Sequence, residues 1–220
     1  LTTGSHNEPL ALVNNRDKFT RRQFTHVTLG LVMGPDLSTA GSIAHFYDPG
    51  YRLGATIDYN FSPDWGITTG IIRTRTRYTA GSGDYQLPQG YLSNNESPKR
   101  TRADCVLLDI PVSLKYRFLQ FNHSRLYATA GVSSYIMLNE KYRFTYKDYQ
   151  SGLAQGWSGK TGTRHWLSNA SFSIGYEFDI RGNWSLRAEP FIKIPLKEVG
   201  WGNVKLYSMG SIISLNYNLK

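Results

Sequence analysis

Residues 51–61 read YRLGATIDYNF, and apolar and polar side chains alternate along the whole stretch. The odd-numbered positions from Tyr51 to Phe61 are apolar, whereas the even-numbered positions include Arg52, Asp58 and Asn60. A period of two is the spacing of a β-strand whose two faces meet different environments. The stretch therefore predicts a strand with one apolar face and one polar face.

Seven further segments repeat this alternation. They lie near residues 24–34, 65–71, 106–118, 126–138, 166–178, 184–194 and 207–217. Tight turns such as Ser62-Pro63-Asp64 and Arg181-Gly182-Asn183 alternate with long polar connections, which we place at 80–103 and from about 139 to Arg164. The sequence contains no run of about 18 apolar residues, so it predicts no membrane-spanning helix. The pattern predicts an all-β, eight-stranded, antiparallel, up-and-down barrel.

The composition of the polar face indicates whether that face lines the interior or the outside of the barrel. A soluble barrel of the lipocalin type hides its apolar face, whereas a transmembrane β-barrel exposes it to lipid. The polar face is rich in small residues, which suit the narrow interior of eight strands. Its small members are Gly54, Gly70, Ser113, Gly131, Ser171, Ser173, Gly175, Ser208 and Gly210. We therefore expect the polar face to line the interior.

The same face carries charges of both signs. We expect them to form a neutralising lumen network, because buried charges are tolerated when they are paired. The predicted members are Arg52, Asp58, Asp109, Lys115, Arg117, Glu177, Arg187, Glu189 and Lys193. Ordinary solvated charges on a soluble barrel are the alternative.

Aromatic residues lie at the ends of the apolar face, as in the girdles of membrane barrels. Phe61, Trp65, Phe118, Phe178, Trp184 and Tyr217 lie beside the short turns or the C-terminus, and Tyr51, Trp166 and Tyr207 lie at the opposite ends. Short turns face the periplasm in bacterial barrels, and an even strand number returns both termini to one side. The expected location is the bacterial outer membrane, with periplasmic termini.

The predicted domain boundary lies after a polar leader or periplasmic linker at 1–23, so that residues 24–220 form the barrel. Pro111 and Pro190 fall inside strands and lack a ladder donor, so we interpret them as β-bulges. The single cysteine, Cys105, excludes an internal disulfide and is expected to fill a niche in the lumen.

Two segments are similar to a known family. Residues 109–118, DIPVSLKYRF, resemble a signature strand of the PorT-like outer-membrane β-barrels of Bacteroidota, and 189–196 with 200–208 resemble their last hairpin. The resemblance implies a non-enzymatic barrel. It also implies a possible place as the C-terminal barrel of a dual-membrane, anti-sigma-type signalling protein.

Cationic residues gather where the third strand leaves its apolar face. The formal net charge is +9, and Arg73, Arg75 and Arg77 continue the outward face beyond Ile71. Lys99, Arg100 and Arg102 follow in the predicted 80–103 loop, and further cations lie in the next loop. Arginine pairs with phosphate through two parallel hydrogen bonds. We predict a cationic rim that binds lipopolysaccharide phosphates, and the alternative is solvated loop charge.

Other functions receive less support from the residues. A lipid A-modifying enzyme needs a nucleophile and a base, and the nearest pair, His165 and Ser168, lies on opposite strand faces. Eight strands leave a filled interior and no open pore. We predict no catalytic residue, no metal site, no cofactor and no nucleic-acid partner. A protein partner, reached through the loops or the periplasmic termini, and membership of a larger outer-membrane assembly stay open.

Overall fold

The computed structural model describes residues 27–41, 49–85, 98–147 and 153–219. Within these ranges the chain forms nine strands: β1 Val27–Ala40, β2 Pro49–Asn60, β3 Trp65–Gly81, β4 Arg100–Gln120, β5 Ser124–Thr145, β6 Gly156–Gly159, β7 Arg164–Arg181, β8 Trp184–Pro195 and β9 Leu206–Leu219. None of these ranges contains a helix long and apolar enough to cross a membrane.

Eight of the strands close into an antiparallel barrel. Each of β1 to β5 pairs with the next strand along the chain, β5 pairs with β7, and β7, β8 and β9 continue the meander. The pairing of β9 with β1, from Val27↔Leu219 to Ala40↔Leu206, closes the ring. The predicted eight-stranded, up-and-down architecture is confirmed. β6 is an additional short strand that pairs only with residues 140–143 of β5.

Four strands are clearly longer than predicted. β3 runs to Gly81 and β4 begins at Arg100, so the predicted loop at 80–103 is wrong at both ends. β5 runs to Thr145, so the predicted loop before Arg164 contains the end of β5 and all of β6. β1 continues to Ala40 instead of ending at Gly34. Residues 24–26 and the predicted leader lie outside the described residues, and that domain boundary stays a prediction.

The two prolines do not form bulges. The β3–β4 ladder lacks paired residues at Pro111, yet Thr69↔Val112 and Ile72↔Asp109 keep one register. The β7–β8 ladder likewise skips Pro190 without a shift, and Pro190 still pairs with Ser211 of β9. A missing N–H therefore interrupts the ladder on one side, and the continuous neighbouring strand holds the register. The bulge prediction was wrong at both sites.

The apolar face points outward. Leu31 on β1 and Ile71 on β3 are 68% and 60% exposed, and most large apolar side chains of the predicted faces are likewise on the outside. Aromatic pairs mark the end with the short turns, where the Trp65 ring lies 4.5 Å from Tyr116 and the Trp184 ring 4.9 Å from Tyr217. We call this end the short-turn end and the opposite one the long-loop end. The outward apolar side chains between them form the apolar band.

The interior is filled by ion pairs that cross the barrel. Toward the long-loop end, Arg52 pairs with Asp36 at 3.1 Å and with Asp109, which also binds Lys193. Asp36 was missing from the predicted network because β1 was expected to end two residues earlier. The cluster balances two carboxylates with two cations. It also joins β1, β2, β4 and β8 across the lumen.

A second cluster fills the barrel nearer the short-turn end. Asp58 pairs with Lys115 and lies 2.8 Å from Arg187, which lies 3.4 Å from Glu177. Arg125, outside the predicted set, bridges Glu177 at 3.2 Å and Asp179 at 2.6 Å. The two remaining predicted members make hydrogen bonds: Arg117 donates to Asn60, and Glu189 accepts from Tyr127 and Ser173, each at 2.6 Å.

Tyr127 shows why small residues line this lumen. Its ring lies under the cations Lys115 and Arg187, at 5.0 and 5.2 Å. The ring crosses directly over Gly175, its partner on β7, and a Cβ at that position would overlap the ring. A large side chain on one strand therefore requires a glycine on the next.

Candidate functional site: a cationic face at the long-loop end

Three strands project beyond the rest of the barrel at the long-loop end. The last β2–β3 pair is Tyr51↔Arg75 and the last β5–β7 pair is Ile136↔Arg164, whereas β3, β4 and β5 stay paired up to Gly81, Arg100 and Thr145. Six residues of β3 beyond Arg75 correspond to about 20 Å of strand. With β6, these segments form what we call the projecting sheet.

The inner face of the projecting sheet has its own apolar core. Its members include Tyr78, Ala103, Cys105, Leu107, Met137, Tyr142 and Phe144. The connection between β8 and β9 covers this core with Val199 and Val204, whose backbones pair with each other. Trp157 of β6 stacks on Trp201 of this connection with ring centroids 4.6 Å apart. The projecting sheet is therefore held like a small soluble domain.

A buried glutamate fastens the covering connection to the sheet. Glu140 of β5 is fully buried and accepts hydrogen bonds from the Tyr142 hydroxyl at 2.5 Å, the Trp201 backbone N–H at 2.9 Å and the Thr161 hydroxyl. Three donors from different segments stabilise the carboxylate, which has no ion pair with any residue in the described ranges. Sequence reasoning missed Glu140 because it placed this part of β5 in a loop.

The outer face of the projecting sheet is cationic. It carries Arg73, Arg75 and Arg77 on β3, Arg100 and Arg102 on β4, and Lys141 and Arg143 on β5. The same face holds one carboxylate, Asp104, among these residues. Arg100, Arg102, Lys141 and Arg143 are strand residues, which corrects their predicted place in loops, and Lys99 directly precedes β4. The β3–β4 register brings five of the six predicted rim residues, all except Lys99, onto one surface.

The part of this face nearest the apolar band, Arg73, Arg75 and Arg77, forms the lower tier. Arg73 donates to the Tyr51 hydroxyl at 2.8 Å. Arg75 holds Asp104 through two hydrogen bonds of 2.8 and 2.6 Å, and Arg77 lies 3.5 Å from the same carboxylate. Hydrogen bonding from Arg75 lowers the pKa of the Asp104 carboxyl. The lower tier therefore keeps a surplus of two positive charges after Asp104 is counted.

The upper tier consists of Arg100, Arg102 and Arg143. Arg102 and Arg143 are direct cross-strand partners, and Arg100 lies two residues further along β4. Like charges directly opposite each other destabilise a sheet. Within the described part of the chain, these three guanidinium groups have no acidic partner within 4 Å. As far as the described residues go, the upper tier is thus a concentration of positive charge without an acidic partner.

Comparison with known proteins agrees with this architecture. The family model described as "Outer membrane protein beta-barrel domain" matches residues 14–189. The chain belongs to this family. No curated protein is significantly similar to it in sequence.

The solved structures most relevant to this outer membrane β-barrel are small barrels. The Neisserial surface protein A crystal structure is 13% identical over 88% of this chain and 97% of that one, with a TM-score of 0.53. Ail of Yersinia pestis is 14% identical over 86% and 98%, with a TM-score of 0.42. The N-terminal barrel of Pseudomonas aeruginosa OprF is 11% identical over 88% and 98%, with a TM-score of 0.46. At these identities the likeness concerns the fold alone.

His165 and Ser168, the pair considered for catalysis, are not hydrogen-bonded to each other in this outer membrane β-barrel. His165 contacts the Thr163 hydroxyl at 3.2 Å and accepts from the Gly200 N–H at 3.2 Å, whereas Ser168 accepts from Asn169 at 2.9 Å. Between them the backbone turns through a positive φ of 49° at Leu167, so the strand alternation breaks there. Among the described residues, no group of three His, Cys, Asp or Glu side chains could hold a metal ion.

Cys105 has a structural place in the core of the projecting sheet. The side chain is fully buried, and its thiol lies 3.9 Å from the Tyr142 hydroxyl. Burial raises the pKa of the Cys105 thiol to about 12. A thiol that stays protonated is a poor nucleophile, so Cys105 fills space at this position.

Proposed function

We propose that the protein is a non-catalytic outer-membrane anchor whose cationic face binds phosphate groups of lipopolysaccharide. In this proposal the long-loop end faces outward and both termini lie in the periplasm. The orientation is supported by the ends of β1 and β9, because Val27 and Leu219 pair at the short-turn end. Bacterial barrels place their short turns in the periplasm.

The lower tier carries the proposal. On β3 the outward side chains change from Ile67 and Ile71 to Arg73, Arg75 and Arg77 within two residues. In an outer leaflet this boundary meets the lipid headgroups, where lipid A presents its phosphates. A guanidinium group matches a phosphate with two parallel hydrogen bonds. Its fixed place on a strand reduces the entropy lost on binding.

The PorT-like resemblance of residues 109–118 adds the anchor role. A barrel filled by ion pairs holds a chain in the outer membrane without forming a passage. An upstream periplasmic linker and a signalling region beyond it would then be tethered through β1. Any protein partner would reach the barrel at the projecting sheet or at the termini.

Lipopolysaccharide binding tests the proposal directly. The refolded protein in detergent is titrated with deep-rough lipopolysaccharide, which presents lipid A phosphates with almost no core. The test variant is Arg73→Gln, Arg75→Gln and Arg77→Gln together. We expect its affinity to fall about tenfold, because three exposed charged contacts of about 0.5 kcal/mol each add up to about 1.5 kcal/mol. The loss should shrink in high salt.

A matched variant removes the same charge elsewhere. Arg181→Gln, Lys197→Gln and Lys205→Gln together also remove three exposed cations, but these lie on the β7–β9 side of the barrel. We expect this control to bind like the parent protein. Equal binding by the parent and the lower-tier variant refutes the proposal. An equal loss in both variants shows that only the net charge matters, and refutes it as well.

A further inference from the structure

The two tiers of the cationic face lie at different heights. Arg73 pairs with Leu108 on β4, and Arg102 lies six residues beyond Leu108 on that strand. Six residues span about 20 Å of strand, which a tilt of 35–45° reduces to roughly 15 Å along the barrel axis. Arg77, the uppermost residue of the lower tier, pairs with Asp104, two residues from Arg102. A headgroup phosphate at the level of Arg73 therefore lies out of reach of the upper tier, whereas one at the level of Arg77 does not.

The upper tier also differs from the lower tier in its partners. Arg73, Arg75 and Arg77 contact Tyr51, Asp104 and the Pro49 carbonyl, so protein groups already satisfy part of their hydrogen bonding. Arg102 and Arg143 are cross-strand partners on one β-ladder, and neither side chain makes such a contact among the described residues. A bridging anion would turn this repulsion into two charge-assisted interactions.

The arrangement is rigid enough to select a ligand. The side chains between these arginines, Thr101, Tyr142 and Phe144, are buried in the core of the projecting sheet. Glu140 and the stacked tryptophans hold that core from the other side. The backbone of the upper tier is therefore fixed before any anion arrives, which lowers the cost of binding.

We propose that Arg100, Arg102 and Arg143 form a second anion site, which takes a phosphate group carried on a saccharide above the lipid headgroups. The inference rests on the proposed function, because it uses the same outward orientation. In the outer leaflet such a group belongs to the phosphorylated inner core of lipopolysaccharide. A single phosphate between Arg102 and Arg143 would accept from both, and Arg100 would bind a neighbouring oxygen.

The test compares two lipopolysaccharides and two variants. One ligand is the deep-rough form without core phosphates, and the other carries a phosphorylated inner core. The upper-tier variant is Arg102→Gln with Arg143→Gln, and its charge-matched control is Lys197→Gln with Lys205→Gln. We expect the parent and the control to prefer the phosphorylated core about tenfold. The upper-tier variant should lose this preference and keep its affinity for the deep-rough form.

Failure of this inference is distinguishable from failure of the proposed function. An unchanged preference in the upper-tier variant overturns the second site even when the lower-tier variant has lost deep-rough binding. Equal losses of deep-rough binding in both variants show one undivided patch and also overturn it. The heat-dependent mobility shift of a folded barrel on a gel verifies that each variant is folded.

A soluble probe separates the two possible sources of phosphate. Inositol hexakisphosphate is added to the parent protein and its thermal unfolding is followed. Stabilisation that disappears in the upper-tier variant supports the anion site. Stabilisation without any preference for the phosphorylated core assigns the site to soluble polyphosphates, and overturns the assignment to lipopolysaccharide.

Discussion

Replacing Asp58 by asparagine removes one negative charge from the ion-pair cluster nearer the short-turn end and keeps the shape of the side chain. Asp58 is the only carboxylate within 4 Å of Lys115 among the described residues, and it lies 2.8 Å from Arg187, which retains Glu177. Both cations are buried. Removing one partner of a buried ion pair costs about 3–5 kcal/mol, because the other charge stays desolvated. We expect this loss for Asp58→Asn.

The measurement is urea unfolding of the barrel in lipid vesicles, followed by tryptophan fluorescence. Asp104→Asn is the matched control, because it makes the same chemical change between Arg75 and Arg77 on the surface. The side chains of Arg75 and Asp104 are each 35% exposed, and such pairs contribute about 1 kcal/mol or less. Adding Lys115→Met to Asp58→Asn removes the stranded ammonium group and should restore most of the stability. A cost for Asp58→Asn no larger than that of Asp104→Asn would show that water screens the lumen, and refutes the reasoning.

Further predictions concern packing, the projecting sheet and conductance. Gly175→Ala should lower stability by about 1–3 kcal/mol because its Cβ overlaps the Tyr127 ring, whereas Gly83→Ala, with open space around it, should change urea unfolding little. Glu140→Gln should expose the connection between β8 and β9 to limited proteolysis while the barrel stays folded, and the exposed Glu198→Gln serves as its control; equal cleavage of both variants contradicts the role of Glu140. In planar bilayers the protein should give no steady channel current, since ion pairs fill the lumen. A steady conductance contradicts a filled interior.

The eight barrel strands and their outward faces were predictable because lipid imposes a strict rule on sequence. Every second residue of a segment such as 51–61 must be apolar, and every backbone group must pair. Partner choice in the lumen was not predictable to the same degree. Asp58 and Arg187 meet only because the barrel closes between β1 and β9, and a single sequence does not contain that register. β6 has four residues, of which only Trp157 is a large apolar one, so no alternation of apolar and polar residues can be recognised in it.

The wrong loop boundaries have a physical cause in the projecting sheet. In the apolar band of β4, the outward residues Leu108, Ile110 and Val112 are apolar. Beyond the band the inward residues Ala103, Cys105 and Leu107 are apolar, because they pack against the covering connection. The apolar positions of β4 therefore move from the outward to the inward face at Leu107-Leu108. On β5 the same move coincides with the register shift between Val106 and Leu107 of β4. A search for apolar residues on the original face ends at this point, although the strand continues.

This change of phase marks the edge of the membrane in the sequence itself. A strand surrounded by lipid needs apolar residues outside, and a strand that leaves the lipid needs them inside against a protein core. The outward side chains of β3 change from apolar to cationic between Ile71 and Arg73. Its inward side chains change from polar to aromatic between Thr74 and Tyr78, so both faces change character within a few residues. The lower tier lies at this boundary and the upper tier beyond it. The sequence position of the switch thus supports separate levels for the two proposed anion sites, independently of the contacts of any arginine.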